Sequence, residues 1–338
     1  MTVLVTGGAG YIGSHIVLDL LARGEAVAVL DNLSAGRRAS LPPQVAFHKG
    51  DVCASGDVER VFSAHASTMP IDTVIHAAAM ASVPESMAAP DKCFAVNLDG
   101  TKALARAAHA AGVARFVFSS TSAVYDADAD APYSEDSRVR PLSPYAESKY
   151  AAERYLAEIA DASFAVGVLR YFNVAGADAR ARCGDCKRAA TTLIKTALEV
   201  AIGKRAELEI YGTDYPTPDG TAVRDYIHVS DVAAAHGCAL DFLQRQIESG
   251  EGGFHLFNLG IGKGFSVMDV VETVEEVLRR RLPKTIRPRR AGDPPRLFAA
   301  ADKAKAQLGW KPAWPDLSAM IAHAWAWEQT LRRQSARR

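Results

Sequence analysis

The chain has 338 residues, 49% of them apolar, enough to bury a sizeable core and to build two domains or one enlarged α/β unit. Its 39 Lys and Arg balance 39 Asp and Glu, which excludes an overall positive field for a nucleic-acid backbone or an anionic membrane and leaves basic residues to act locally. No apolar run approaches the roughly 20 residues that span a bilayer, and five cysteines, an odd number, do not read as a disulfide framework.

From Met1 the chain runs into an apolar strand without a charged leader, so a cytoplasmic protein is expected. Short β-branched runs at 3–6, 26–30, 45–48, 73–76, 116–119 and 166–171 alternate with helix-length segments. This rhythm predicts an α/β fold, a Rossmann-type doubly wound parallel sheet whose ligands sit beyond the carboxyl ends of the strands. After Tyr171 the rhythm loosens; 177–188 reads as a surface loop, and helical patterns follow at 193–202, 229–245, 267–281 and 317–332. The expected division is a Rossmann domain at 1–173, completed by parts of 222–258, and a smaller mixed α/β lobe at 174–338 that is mainly substrate-binding.

The first strand ends in Thr6-Gly7-Gly8-Ala9-Gly10-Tyr11-Ile12-Gly13. Gly7, Gly10 and Gly13 permit a tight turn, close approach of a pyrophosphate and close helix packing, and the free amides of the following helix favour an anion. The second strand ends in Asp31, roughly 20 residues on, where a carboxylate accepts from ribose hydroxyls and repels the extra phosphate of NADP. NAD is therefore the expected cofactor.

Tyr145 and Lys149 lie one helical turn apart after Ser143-Pro144, a helix start. A neighbouring ammonium and a positive nicotinamide would bring the phenol toward neutral pH and make it a general base. Such a pair is also common on exposed helices; what singles it out is the preceding strand end, Ser119-Ser120-Thr121-Ser122, whose hydroxyls emerge on the ligand side.

With these features, Leu169-Arg170-Tyr171-Phe172-Asn173, the block from Tyr211 to Thr221, Arg224-Asp225-Tyr226-Ile227-His228-Val229 and Asn258-Leu259-Gly260, the chain resembles the extended short-chain dehydrogenase/reductases over almost its whole length, and among them the UDP-glucose 4-epimerases. The resemblance implies reversible C4 epimerisation of a UDP-hexose through a 4-keto sugar with tightly held NAD, in a homodimer. It makes Tyr145 the base, Lys149 its partner on the nicotinamide ribose, and Thr121, with Ser122 second, the hydroxyl beside the substrate. It places Tyr11, Ile12, Asp31, Asn32, Asp51, Val52, Ala77, Ala78, Ala79, Asn97 and Phe172 around NAD, although Asn97 equally fits local backbone support. Asn173, Tyr211, Arg224, Arg290 and Asp293 match the nucleotide-diphosphate contacts, and Leu297 stands where a tyrosine in some relatives narrows the sugar pocket, so UDP-N-acetylhexosamines enter the expectation.

Several positions depart from the family pattern: Asp126 replaces a glycine, Ala81 a lysine, and 192–195 lacks a proline. His76 reads as a packing or loop-bonding residue, Trp325 and Trp327 as helix packing, and the Cys183-Gly184-Asp185-Cys186 loop as inert, with no metal site expected. The alternatives are a UDP-pentose or uronic-acid epimerase with the same residues, or a silent NAD-binding sensor. A 4,6-dehydratase needs an acid and base pair that Thr121-Ser122-Ala123 does not offer.

Overall fold

The computed structural model describes residues 2–67, 69–187, 191–290 and 292–336. Its first half runs β1 (Thr2–Thr6), α1 (Tyr11–Ala22), β2 (Ala26–Asp31), β3 (Ala46–Lys49), α2 (Ser55–His65), β4 (Ile71–His76), α3 (Val83–Ala88), α4 (Pro90–Phe94), α5 (Gly100–Ala110), β5 (Arg115–Thr121), α6 (Pro144–Ile159) and β6 (Ala165–Tyr171). The second half runs β7 (Asn173–Ala175), α7 (Leu193–Ala201), β8 (Leu208–Tyr211), β9 (Val223–His228), α8 (Val229–Glu248), β10 (Phe254–Leu259), β11 (Gly264–Ser266), α9 (Val267–Leu278), β12 (Lys284–Arg287), β13 (Arg296–Leu297), α10 (Asp302–Leu308) and α11 (Leu317–Ala336).

Seven strands form a parallel sheet in the order β10-β6-β5-β4-β1-β2-β3, a Rossmann-type arrangement. The strands read as continuous apolar runs because both faces are covered. In β1, Val3 and Val5 face one core with Ile16, Val17 and Leu20 of α1, while Leu4 faces the other with Val58, Val61 and Leu104. Phe116 and Phe118 of β5 face that second core, each fully buried and contributing about 1.5–3 kcal/mol. The six expected strands all form; β10, the seventh, was not among them because it returns only after a long excursion through the second lobe. Strand order reverses between β1 and β4, the switch point beyond whose carboxyl ends such sheets bind their ligands.

The smaller lobe centres on β9, which pairs with β7 and β13 in parallel and β11 antiparallel. The four expected helices form as α7, α8, α9 and α11. The 177–188 segment differs from a surface loop: Ala177 and Cys183 are fully buried, and Asp185 O accepts from Lys195 Nζ and Trp327 Nε1, both at 3.2 Å. An aperiodic stretch rich in Ala, Arg, Gly and Cys concealed a loop packed beneath α11. Arg188 lies outside the described residues.

Candidate active site

The glycine turn is shaped by close approach. Gly7 has φ +69°, and a Cβ there would lie 2.6 Å from the Ala78 amide; a Cβ on Gly13 would lie 2.2 Å from Gly7 O. Only glycine fits. Gly10 stands at the N-cap of α1 and supplies no side-chain cap, so the first-turn amides around Tyr11 and Ile12 retain their affinity for an anion. Tyr11 donates its hydroxyl to Gly176 O at 2.7 Å, fixing α1 to the end of β7.

Asp31 closes the crevice from the end of β2. Its carboxylate accepts from the amides of Ala9 (2.9 Å) and Leu33 (2.7 Å), while burial raises its pKa. A carboxylate anchored to the glycine turn is already oriented for a ribose. Asn32 Nδ2 donates to Asp51 Oδ2 at 2.9 Å, so these two expected contacts form one rim. Val52 packs its side chain into the second core and offers the crevice only backbone; Ala77, Ala78 and Ala79 continue from β4 against Gly7. Phe172 is buried directly after β6, its amide donating to Leu259 O at 3.2 Å. Cradle, uncapped amides and acid together fit NAD.

At the end of β5, the Thr121 hydroxyl lies beside the Tyr145 phenol and lowers its pKa, and its Oγ1 accepts from the Ala123 amide at 3.1 Å beside Ser122. Helix α6 starts where expected: Ser143 Oγ accepts from the Ala146 amide at 3.2 Å, with Pro144 in the first turn. Lys149 is 2% exposed; Nζ donates to Ser119 O at 2.8 Å and lies 4.4 Å from the Phe118 ring centroid. Burial lowers the ammonium to about 7. The phenol of Tyr145 differs from the sequence expectation: burial pushes it up to about 12, opposed by the neighbouring Thr121 hydroxyl, with the Cys93 thiol adding to the rise. In the protein alone Lys149 does not offset desolvation, because its own charge is disfavoured there.

On the second lobe, Arg224 of β9 stands in register with Leu297 of β13. Its Nη2 pairs with Asp293 Oδ1 at 2.7 Å, and Asn173 sits opposite Tyr226. Arg290 differs from a free diphosphate ligand: its guanidinium lies 3.9 Å from the Tyr211 ring centroid, covering one face expected to flank a base. Asp126 engages Arg138 (3.2 Å) and Arg140 (2.8 Å), so the residue replacing glycine ties down the following loop. Ala81 is exposed.

Asn97 corrects its placement among direct cofactor contacts. It is fully buried; Oδ1 accepts from the Met80 amide at 2.8 Å and Nδ2 donates to Met80 O (3.2 Å) and Ser148 Oγ (3.0 Å). Its amide is already engaged in holding backbone, the second reading allowed by the sequence. Trp327 packs α11 against Gly184. The thiols of Cys183 and Cys186 are free, and burial raises both. Among the described residues no three metal-binding side chains converge, and no helix is long and apolar enough to cross a membrane.

Two groups escaped the sequence reading. Tyr171, at the end of β6, has its phenol pushed up by burial, with Tyr145 adding to the rise and the Ser119 hydroxyl opposing it. Glu153 accepts from Arg170 Nη2 at 2.5 Å and from the Ser120 hydroxyl, in a buried pair beneath Lys149. The i, i+4, i+8 stripe of Tyr145, Lys149 and Glu153 was the available signal.

The NAD dependent epimerase/dehydratase family model matches residues 3–260. The chain is 45% identical over 333 residues to UDP-glucose 4-epimerase of Azospirillum brasilense, covering 97% of this chain and 92% of that protein. The UDP-glucose-4-epimerase of Stenotrophomonas maltophila, solved with NAD and formylated UDP-arabinopyranose, superposes with TM-score 0.92 at 37% identity, covering 99% of both chains. That of Bifidobacterium longum, in complex with NAD+ and UDP, gives TM-score 0.89 at 34% identity and 98% coverage of both. The glycine cradle, the acid at the end of β2 and this likeness agree: the chain belongs to the NAD dependent epimerase/dehydratase family.

Proposed function

We propose that this chain is an NAD-dependent UDP-glucose 4-epimerase that reversibly inverts C4 of a UDP-hexose, interconverting UDP-glucose and UDP-galactose. The observation that carries the reading is Tyr145 and Lys149 one helical turn apart on α6, with the Thr121 hydroxyl beside the phenol at the end of β5, above a glycine cradle that fits NAD. Bound NAD supplies a hydride acceptor that returns its hydride within each cycle. Gly7, Gly10, Gly13, Tyr11 and Ile12 hold its pyrophosphate, Asp31 and Asn32 its adenine ribose, Asp51 and Val52 the adenine rim, and Ala77, Ala78, Ala79, Lys149 and Phe172 the nicotinamide side.

Tyr145 takes the proton of the C4 hydroxyl and returns it after the 4-keto sugar has turned its other face. Thr121 holds the sugar oxygen and the phenol together, and Lys149 favours the phenolate when charged. Arg224 gives the diphosphate a planar two-donor grip, with Arg290, Asp293, Asn173 and Tyr211 completing the uridine side. Leu297 leaves space beside the sugar, so UDP-N-acetylhexosamines are further substrates. The formylated UDP-arabinopyranose bound to the Stenotrophomonas protein favours including UDP-pentoses as a second reading. The protein works in the cytoplasm as a homodimer through α5 and α6, with residues 1–173 and the β10 region binding NAD and the rest mainly the UDP-sugar.

The test is turnover of UDP-galactose, its N-acetyl analogue and a UDP-pentose by purified protein, with identification of the nucleotide it releases on denaturation. Robust UDP-galactose turnover beside none of the N-acetyl sugar would refute the widened pocket alone; no turnover of any UDP-sugar would refute the epimerase.

A further inference from the structure

A buried file of hydrogen bonds runs behind the site from the end of β1 to the first turn of α6. Thr6, immediately before the glycine turn, contacts His76 Nδ1 at 2.6 Å, and His76 Nε2 contacts Thr101 Oγ1 at 2.9 Å. Thr101 donates to Asn97 O at 2.6 Å. A hydroxyl has one proton, so Thr101 must accept from His76; the ring is then the neutral Nε2–H form, with Nδ1 accepting from Thr6. Asn97 next donates to Ser148 Oγ at 3.0 Å, and Ser148 donates to the carbonyl of Tyr145 at 2.8 Å. Asn97 reaches Met80 and Ser148 at once because residues 95–99 form a π-helical turn between α4 and α5.

Thr6, His76, Thr101, Asn97 and Ser148 are each no more than 0% exposed. A packing histidine needs one partner; this one has both nitrogens filled in a fixed direction and joins three segments: Thr6 beside the glycine turn, Met80 beyond β4, and the carbonyl of Tyr145. We infer that His76 is a positioning residue for Tyr145: through Thr101, Asn97 and Ser148 it locks the tyrosine's helical turn to the two strand ends that cradle the dinucleotide, so that the base and the cofactor cradle hold one geometry. The inference deepens the epimerase reading and rests on it for the role of Tyr145.

His76 must stay neutral for this arrangement, since a second proton would turn Nδ1 into a donor facing Thr6 and place charge near Lys149. Burial and Lys149 both hold it neutral, lowering its pKa to about 3. Of the titratable groups around the phenol, the Cys93 thiol raises its pKa, the phenol in turn raises Tyr171, and Lys149 with Glu153 beyond it follow on the same helix.

The test breaks the file at Thr101, which touches neither crevice nor Tyr145. Thr101→Val keeps the shape and removes the hydroxyl; Thr101→Ser restores it. Each NAD-loaded protein is assayed for UDP-galactose turnover against pH, and Tyr145 ionisation is read optically as the difference from the same protein carrying Tyr145→Phe. Thr101→Val is expected to lower kcat about tenfold or more with KM nearly unchanged, and to move both the acid limb and the phenol titration to higher pH by about one unit; Thr101→Ser recovers both. Should Thr101→Val not fold, Ser148→Ala, which breaks the last link, is read in the same way. A folded Thr101→Val or Ser148→Ala protein with lower thermal stability but unchanged kcat and phenol titration would overturn the inference, leaving the file merely structural. Absent turnover by the wild-type protein would refute the epimerase reading instead, and the phenol titration would still decide on the file.

Discussion

Replacing Lys149 by methionine keeps the length of the buried side chain and removes its charge. The phenol of Tyr145 stands near 12 in the protein alone, so about one molecule in 10⁵ would hold a phenolate at neutral pH. Bringing it to neutrality requires on the order of 7 kcal/mol of preferential stabilisation of the anion. Side chains four apart on a helix have Cβ atoms about 5–6 Å apart, and at about 6 Å with an effective dielectric of about 20 an ammonium contributes about 3 kcal/mol, or about two pKa units. Lys149 thus supplies a substantial part, and the cation of the bound cofactor the larger remainder. The sign is fixed: removing a positive neighbour raises the phenol pKa. In Lys149→Met, kcat at neutral pH is expected to fall about 100-fold, with the acid limb of its pH profile displaced upward by about two units and activity partly recovered in alkaline solution. A Lys149→Met enzyme with reduced kcat but an unmoved acid limb would refute this electrostatic role and leave Lys149 to its contacts with Ser119 O, the Phe118 ring and the cofactor.

Gly13→Ala is expected to lose bound NAD and to destabilise the fold, since its Cβ would lie 2.2 Å from Gly7 O; measuring nucleotide content and unfolding of the purified variant checks both. Arg224→Met leaves Asp293 without its 2.7 Å partner and removes the proposed diphosphate fork; KM for UDP-galactose should rise about tenfold or more with kcat less affected, and an unchanged KM would count against that assignment. Acid should destabilise the protein: burial lowers His15 and His236 to about 4 and His76 and His228 to about 3. Because the unfolded chain binds more protons at these sites, their contribution is complete above pH about 6.5 and is lost as pH falls toward those values. Asp225, raised to about 6 by burial, acts in the opposite sense, as do Asp19, Asp31 and Asp231, while His48, His255 and His323, also lowered by burial, act with the four histidines. Denaturant midpoints that stay level from about pH 7 to about pH 4.5 would contradict the burial of neutral histidines.

Much of this was legible in the sequence because it depends on local pattern. The glycine turn, Asp31, the Ser143-Pro144 helix start and six sheet strands follow from strand and helix periodicity. The long-range partners do not. Asn97 could not be separated from a cofactor ligand without knowing that its amide reaches Met80 and Ser148. Arg290 could not be known to lie on Tyr211, 79 positions away in sequence, because β8 and β12 meet only in the folded lobe. The raised phenol of Tyr145 likewise reflects burial, which spacing does not reveal. The lack of periodicity misled at 177–188, where Trp327 and Lys195 cover the loop.

The most direct measurement follows proton NMR spectra of UDP-galactose incubated with purified protein and no added cofactor, beside Tyr145→Phe prepared in the same way. The proposed chemistry gives an equilibrium mixture with UDP-glucose from the wild-type protein, and from Tyr145→Phe a protein that keeps its NAD but converts sugar at least about 100-fold more slowly. A wild-type protein that carries NAD yet leaves UDP-galactose unchanged, or a Tyr145→Phe variant as active as wild type, would contradict it.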